Sequence, residues 1–260
     1  MTLLPESDPM TDAAQETDAQ LARRIADTAG ELLLALQCSN LFDGKALGKV
    51  GDRVANAFIM EALAVQRPDD AVLSEEEAAD PVRLTRSRVW IVDPLDGTRE
   101  YGERRTDWAV HIALSVDGVA TVGAVALPGL PATLCTERPV VVPPPGPGPL
   151  RMVVSRTRPA AEAVAVAERL GAELLPMGSA GAKAMSIVRN EADIYLHSGG
   201  QYEWDSCAPV AVAEAAGLHV SRIDGSPMTY NHENPYLPDL LICRKEHAAK
   251  VLDLIRELVA

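Results

Sequence analysis

Two carboxylates three residues apart, Asp93 and Asp96, stand in the hexapeptide DPLDGT at 93–98. The apolar run Val89-Trp90-Ile91-Val92 precedes them and reads as a buried strand that carries both acids to its end. Pro94 and Gly97 then call for a tight turn. Carboxylates held this close repel one another unless a cation sits between them. Oxygen-only ligands of this kind suit magnesium or calcium rather than zinc.

Two other acidic groups can join them in space. Glu75-Glu76-Glu77 follows the short apolar strand Ala71-Val72-Leu73-Ser74, and Asp205 follows Trp204 at the head of a helix. Taken singly, each group has a plainer role. Asp-Pro and Asp-Gly are turn residues, a run of glutamates is usually a solvated face, and Asp205 can cap its helix. Taken jointly they favour a metal site, because each follows or opens a regular element and each carries unneutralised acid.

Such a site suits phosphoryl chemistry. A phosphomonoester is a dianion that a nucleophile does not approach unaided. Two or three magnesium ions would screen the carboxylates, hold phosphate oxygens and acidify a water. Thr98, two residues beyond Asp96, can position that water through its hydroxyl. Backbone N–H groups after Gly97 would face phosphate oxygens.

The elements that position these residues follow from periodicity. Helical spacing runs from Asp18 to Leu36 and again from Asp52 to about Gln66, with Asp52 placed as an N-cap. Residues 108–127 read as strands around an Asp117-Gly118 turn. The Pro- and Gly-rich segment 140–150 reads as a stiff surface linker. The expected organisation is therefore a flexible tail over 1–17, an N-terminal α+β metal-site domain over 18–147 and a C-terminal α/β substrate domain over 148–260. In the latter, strands at 151–155, 173–176, 192–197, 219–223 and 240–244 alternate with helices at 159–170, 182–189, 205–216 and 246–259. Alternation of this kind points to an α/β fold of layered sheets and helices.

Composition narrows the function classes. The chain has 260 residues, 47% hydrophobic, and a formal net charge of −13. No basic face is evident, so nucleic acid is not an expected partner. No run of about 18 apolar residues occurs, and the acidic N-terminus does not resemble a signal peptide, so neither a membrane partner nor export is expected. Cys38, Cys135, Cys207 and Cys243 lack metal-site spacing and read as free thiols of a reducing cytoplasm. His111, in an apolar strand, reads as a core histidine, and Trp204 as a core residue. His197, before Gly199-Gly200, is a candidate for lining the pocket. Arg156 is a candidate for bidentate phosphate binding, while Arg158 reads as solvated.

Glu75-Glu76, DPLDGT at 93–98 and Trp204-Asp205 resemble the lithium-sensitive inositol monophosphatase superfamily, over about residues 18–258. VLSEE at 72–76, VWIVDPLDGTREY at 89–101, VVSRTRP at 153–159, GSAGAKAM at 178–185 and LHSGGQYEWDSCAP at 196–209 are most similar to the CysQ-type 3′-phosphoadenosine 5′-phosphate phosphatases of high-GC bacteria. The resemblance implies a layered α-β-α-β-α sugar-phosphatase fold and magnesium as cofactor. It also implies hydrolysis of a phosphorylated nucleotide to AMP and phosphate in sulfur assimilation or nucleotide salvage, and a possible homodimer.

By residue, the resemblance implies that Glu75, Asp93, the Leu95 carbonyl, Asp96 and Asp205 ligate metal. Asp52, Glu75 and Thr98 would orient the attacking water. Glu75, Leu95, Asp96, Gly97, Thr98 and Asp205 would surround the substrate phosphate. Ser155, Arg156, Ser179 and Lys183 would contact the nucleotide. This chain departs from the pattern at Lys49-Val50-Gly51-Asp52, where the family has Thr-x-Ala-Asp, and at His197, where many nucleotidases have arginine. The glutamate that inositol phosphatases place near Ser198 is missing, which argues against inositol. The alternatives are an inositol-1-phosphatase, a fructose-1,6-bisphosphatase, a broad enzyme covering these, or a non-catalytic binding protein. A catalytically dead relative would usually lose a ligand or the threonine, and all are present.

Overall fold

The computed structural model of the chain describes residues 16–259. Of the tail expected over 1–17, residues 1–15 lie outside the described part. Thr17 belongs to the folded structure as the N-cap of α1 (Asp18–Cys38). Its hydroxyl accepts from Gln20 N at 3.2 Å, and the Gln20 side chain accepts from Thr17 N at 3.0 Å. Such a cap contributes about 1 kcal/mol. Leu21, Ile25, Ala29 and Leu33 follow at helical spacing and face inward.

Helix α2 runs from Gly44 to Gln66 with Asp43 in the N-cap position. Asp52 therefore lies inside the helix rather than at its cap. Gly44, Gly48 and Gly51 lower the local helix propensity, which hides this start from a periodicity reading. Tertiary packing overrides that propensity. A Cβ on Gly48 would stand 2.8 Å from Thr98 Cγ2, and one on Gly51 would stand 2.8 Å from Tyr101 Cε1. The glycines let α2 lie directly against the DPLDGT turn.

The first sheet contains β1 (Ala71–Ser74), β2 (Arg88–Asp96), β3 (Ala109–Val116), β4 (Val119–Leu127) and β5 (Ala132–Cys135), in that spatial order. Strands β1 and β2 are parallel, and the other pairings are antiparallel. The short helix α3 (Thr98–Gly102) follows β2. Asp117 and Gly118 both have positive φ, 49° and 80°, as the two-residue turn between β3 and β4 requires.

Segment 140–150 leads without regular structure to the second sheet. That sheet comprises β6 (Arg151–Ser155), β7 (Glu173–Met177), β8 (Ile194–Ser198), β9 (His219–Ser221) and β10 (Asp239–Cys243), in the order β7-β6-β8-β10-β9. Its helices are α4 (Ala161–Leu170), α5 (Ala180–Val188), α6 (Glu203–Ala215) and α7 (Lys245–Val259).

Strand alternation sorts side chains between layers. Trp90 and Val92 of β2 pack with Leu21, Ile25 and Leu33 of α1, on one face of the first sheet. Val89 and Ile91 point the other way, into a cluster with Met185 of α5, Cys207 and Val210 of α6, and Val153, Tyr195 and Ile242 of the second sheet. Met152, Val154, Ile194 and Leu241 face outward onto α4 and α7. The result is the layered α-β-α-β-α arrangement, with a central core built from both halves of the chain. With both faces covered, β2 reads as the continuous apolar run noted above rather than as an alternating one. Cys135, Cys207 and Cys243 are buried free thiols, and Cys38 is exposed. No helix among the described residues is long and apolar enough to cross a membrane.

Candidate active site

The site forms where β1, β2, α2, α5 and α6 converge. Strand β2 carries its buried apolar residues straight into the acidic turn, with a register shift against β3 between Asp93 and Asp96. The irregularity turns both carboxylates toward one place. Asp93 Oδ1 accepts from Leu95 N at 3.0 Å, which holds its side chain over the turn. Gly97 adopts φ 88°, the left-handed conformation that frees the chain to start α3 at Thr98.

Asp93, Asp96 and Asp205 each offer an oxygen within 4.8 Å of the others. Glu75 joins them from the end of β1, where its amide donates to Val92 O at 3.2 Å. Helix α6 presents Asp205 from its first turn. There Asp205 Oδ2 also accepts from Tyr202 N at 2.8 Å, so a capping bond and a place in the acidic cup coexist. On the far side, Thr98 Oγ1 lies 3.3 Å from Asp52 Oδ1 and 3.2 Å from Leu95 O.

The electrostatics of this cup call for a cation. Burial, then the Glu75, Asp96 and Asp205 charges, push Asp93 well above the usual carboxylate range. Burial and the nearby Asp96, Asp52 and Glu76 charges raise Glu75 to about 7, against a hydrogen bond with Asp93 that lowers it. Asp205 is raised to about 7 by burial and then by Asp96. Asp52 is raised to about 7 by burial and then by Glu76, against the Thr98 hydrogen bond. Carboxylates crowded in this way are unfavourable when ionised together. Their oxygens form a donor set fitting a hard divalent ion.

Asp96 differs from the rest. Burial would raise it, but the His111 charge and several hydrogen bonds hold it below the usual range. Its oxygens accept from the Ser179 hydroxyl, from Ala180 N at 3.0 Å and from Gly181 N at 2.6 Å, all at the start of α5. His111 Nε2 lies 3.2 Å from Asp96 Oδ2, while its Nδ1 bonds the Trp204 carbonyl at 3.0 Å. Burial alone would lower His111, but Asp96 raises it overall.

A cleft of about 490 Å³ opens beside the cup. Asp96, Gly97 and Asp205 line its floor, and Ser155, Ser179, Lys183, His197 and Arg158 line its walls. Lys183 Nζ donates to Gly178 O at 3.2 Å and to Ser179 O. On the other side of Thr98, a second cavity of about 670 Å³ is lined by Lys45, Lys49, Asp52 and Arg99.

An inositol monophosphatase family model matches residues 7–139 and 150–260. The chain belongs to the inositol monophosphatase family. Within that family it is 49% identical over 258 residues to the 3′-phosphoadenosine 5′-phosphate phosphatase of Mycobacterium leprae, covering 94% of this chain and 95% of the relative. It is 32% identical to the 3′(2′),5′-bisphosphate nucleotidase CysQ of Escherichia coli K12, over 72% of this chain and 80% of that one. Among solved structures, CysQ from Bacteroides thetaiotaomicron superposes with a TM-score of 0.75 at 25% identity, covering 90% of this chain and 98% of that one.

This inositol monophosphatase family member differs from the sequence expectation at one substrate contact. Arg156 does not line the cleft. Its Nε donates to Glu100 at 2.7 Å and its Nη2 to Glu103 at 2.6 Å, because the end of β6 directs it across to α3. Arg158 is exposed, as expected, and at the same time lines the cleft, with no carboxylate partner among the described residues. His111 is buried as expected, yet it also contacts Asp96. A lone polar residue in the apolar run 109–114 was the visible sign of it, but only the β2–β3 pairing names its partner. Gly178-Ser179 marks the helix start that supplies the α5 amides, but only the fold brings those amides to Asp96.

Proposed function

We propose that the chain is a magnesium-dependent phosphatase that converts 3′-phosphoadenosine 5′-phosphate to AMP and phosphate. One observation carries the reading: the acidic cup is flanked on one side by the Asp52–Thr98 pair and on the other by a cleft whose lining joins Asp96 and Asp205 to Arg158, Lys183 and His197. The near-half identity with relatives named for this substrate supports it.

Glu75, Asp93, the Leu95 carbonyl, Asp96 and Asp205 would hold two or three magnesium ions. When bound, these ions neutralise phosphate charge and acidify a water. The chain's own residues do the rest. Thr98 Oγ1 shares its hydrogen with Asp52 and Leu95 O, and its free lone pair accepts from the attacking water and aims it. Asp52, with its raised affinity for protons, is poised to draw on that hydrogen bond. Asp96 is held rigid by α5 and His111. Arg158 and Lys183, which line the cleft, would meet the second phosphate of a bisphosphate nucleotide, which a monophosphate sugar would not supply.

The test is phosphate release by the purified protein with magnesium from 3′-phosphoadenosine 5′-phosphate, inositol-1-phosphate and fructose-1,6-bisphosphate. The nucleotide should lead in kcat/KM by about tenfold or more, which corresponds to about 1.4 kcal/mol of transition-state discrimination. A preference for either sugar phosphate would refute the substrate assignment while keeping the phosphatase.

A further inference from the structure

The excess of acid in this chain poses a problem at Glu100. Its side chain is 10% exposed and lines the same cleft that must accept an anionic phosphate ester. It is also wedged against the second half of the molecule. A Cβ added to Gly178 would stand 2.3 Å from Glu100 Cγ. The Glu100 side chain thus occupies the space that the missing Gly178 side chain leaves open. Left alone, a buried carboxylate there would repel substrate and strain the α3 turn that carries Thr98.

Arg156 answers both needs. Its Nε meets Glu100 Oε1 at 2.7 Å and its Nη2 meets Glu103 Oε2 at 2.6 Å, so one guanidinium spans α3 and the residue that follows it. Arg156 is itself anchored at the end of β6, where its amide donates to Met177 O at 3.1 Å. A neighbouring contact runs the same way: Gly178 N donates to Asp107 Oδ2 at 2.7 Å, and Arg105 Nε holds the same carboxylate at 2.7 Å. An ionic seam thus joins the Thr98 turn to the strand end that lines the nucleotide cleft.

We propose that Arg156 is a positioning residue that serves catalysis through Glu100, neutralising it and fixing α3, rather than through contact with phosphate. The inference rests on the phosphatase reading but not on which ester is the substrate. An arginine suits the task because its planar fork sets separate N–H donors toward two carboxylates in a fixed geometry, whereas lysine offers a single point charge on a flexible stem.

The test is a double-mutant cycle on the full chain with magnesium, using whichever substrate the wild type turns over best. Arg156→Gln leaves Glu100 charged and unpaired, and should lower kcat/KM by about 10²-fold. Adding Glu100→Gln removes the stranded charge and should recover at least about tenfold of that loss. Thermal melts of each variant accompany the kinetics. If Arg156→Gln does not fold, Arg156→Lys with and without Glu100→Gln runs the same cycle, since the ammonium keeps the charge but loses the fixed fork that holds Glu100 and Glu103 together. A double variant no better than Arg156→Gln, or losses that merely multiply, overturns the inference and returns Arg156 to the phosphate. A wild type inactive on every phosphomonoester would instead reject the phosphatase reading.

Discussion

Thr98 Oγ1 lies 3.3 Å from Asp52 Oδ1, and this contact links the acidic turn after β2 to the middle of α2. It places a hydroxyl between a proton acceptor and the mouth of the carboxylate cup. Asp52 makes no ion pair among the described residues, and the charges that act on it are those of its acidic neighbours, Glu76 first.

Loss of either member should therefore slow the reaction without dismantling the metal site. Thr98→Ala and Asp52→Asn should each reduce kcat by roughly 10²- to 10⁴-fold, the range for a positioned proton-transfer group. Magnesium affinity, followed by calorimetry, should stay near wild type. A kcat within threefold of wild type in both variants would remove the pair from the mechanism.

Gly48 should prove indispensable for a steric reason. A methyl there would press on Thr98 at 2.8 Å from Cγ2 and 3.1 Å from its carbonyl oxygen. Gly48→Ala improves intrinsic helix propensity by about 1 kcal/mol, so a simple helix would gain stability from it. Here kcat should fall by up to about 10²-fold through displacement of Thr98. Enzyme assay and thermal melt together check this, because activity must drop even where stability does not.

His111 should matter for the metal although it need not touch it. Its Nε2 lies 3.2 Å from Asp96 Oδ2 with its other nitrogen fixed on the Trp204 carbonyl. Partners that orient a ligand typically carry about 10- to 100-fold in metal affinity or activity. His111→Asn should show a loss of that size in a magnesium titration of activity. An unchanged magnesium dependence would make His111 a packing residue only.

The carboxylate cup predicts an unusual dependence of stability on pH. Asp52, Glu75 and Asp205 are raised to about 7 by burial and by neighbouring acids, and Asp93 is raised with them. In the unfolded chain these acids ionise near about pH 4. Between about 4 and 7 the folded state therefore binds more protons than the unfolded state, and the cup's contribution to stability is lost as pH rises through that window. Magnesium relieves the repulsion only where the ligands are ionised. Its increment in Tm should be small at about pH 5 and large at about pH 8. Equal increments at the two values would contradict the geometry of the cup.

The acidic turn, a helix beginning close to Asp205, the strand before Glu75 and the order of strands and helices were all legible in the residues, although that helix begins two residues earlier, at Glu203. They were legible because each rests on local rules. Apolar runs such as 89–92 make buried strands, Pro and Gly terminate them, and helical spacing such as Leu21, Ile25, Ala29 and Leu33 survives any context. Only the tertiary structure decided which of two nearby arginines enters the cleft, that α2 begins at Gly44 so that Asp52 reaches Thr98 from mid-helix, and that His111 and the start of α5 grip Asp96. Those outcomes depend on side-chain direction and on backbone approach between segments distant in sequence. The pairing of β2 with β3, the seat of α2 on Thr98 and the space left by Gly178 and Gly181 set them, and no local pattern of residue types encodes a distance across the fold.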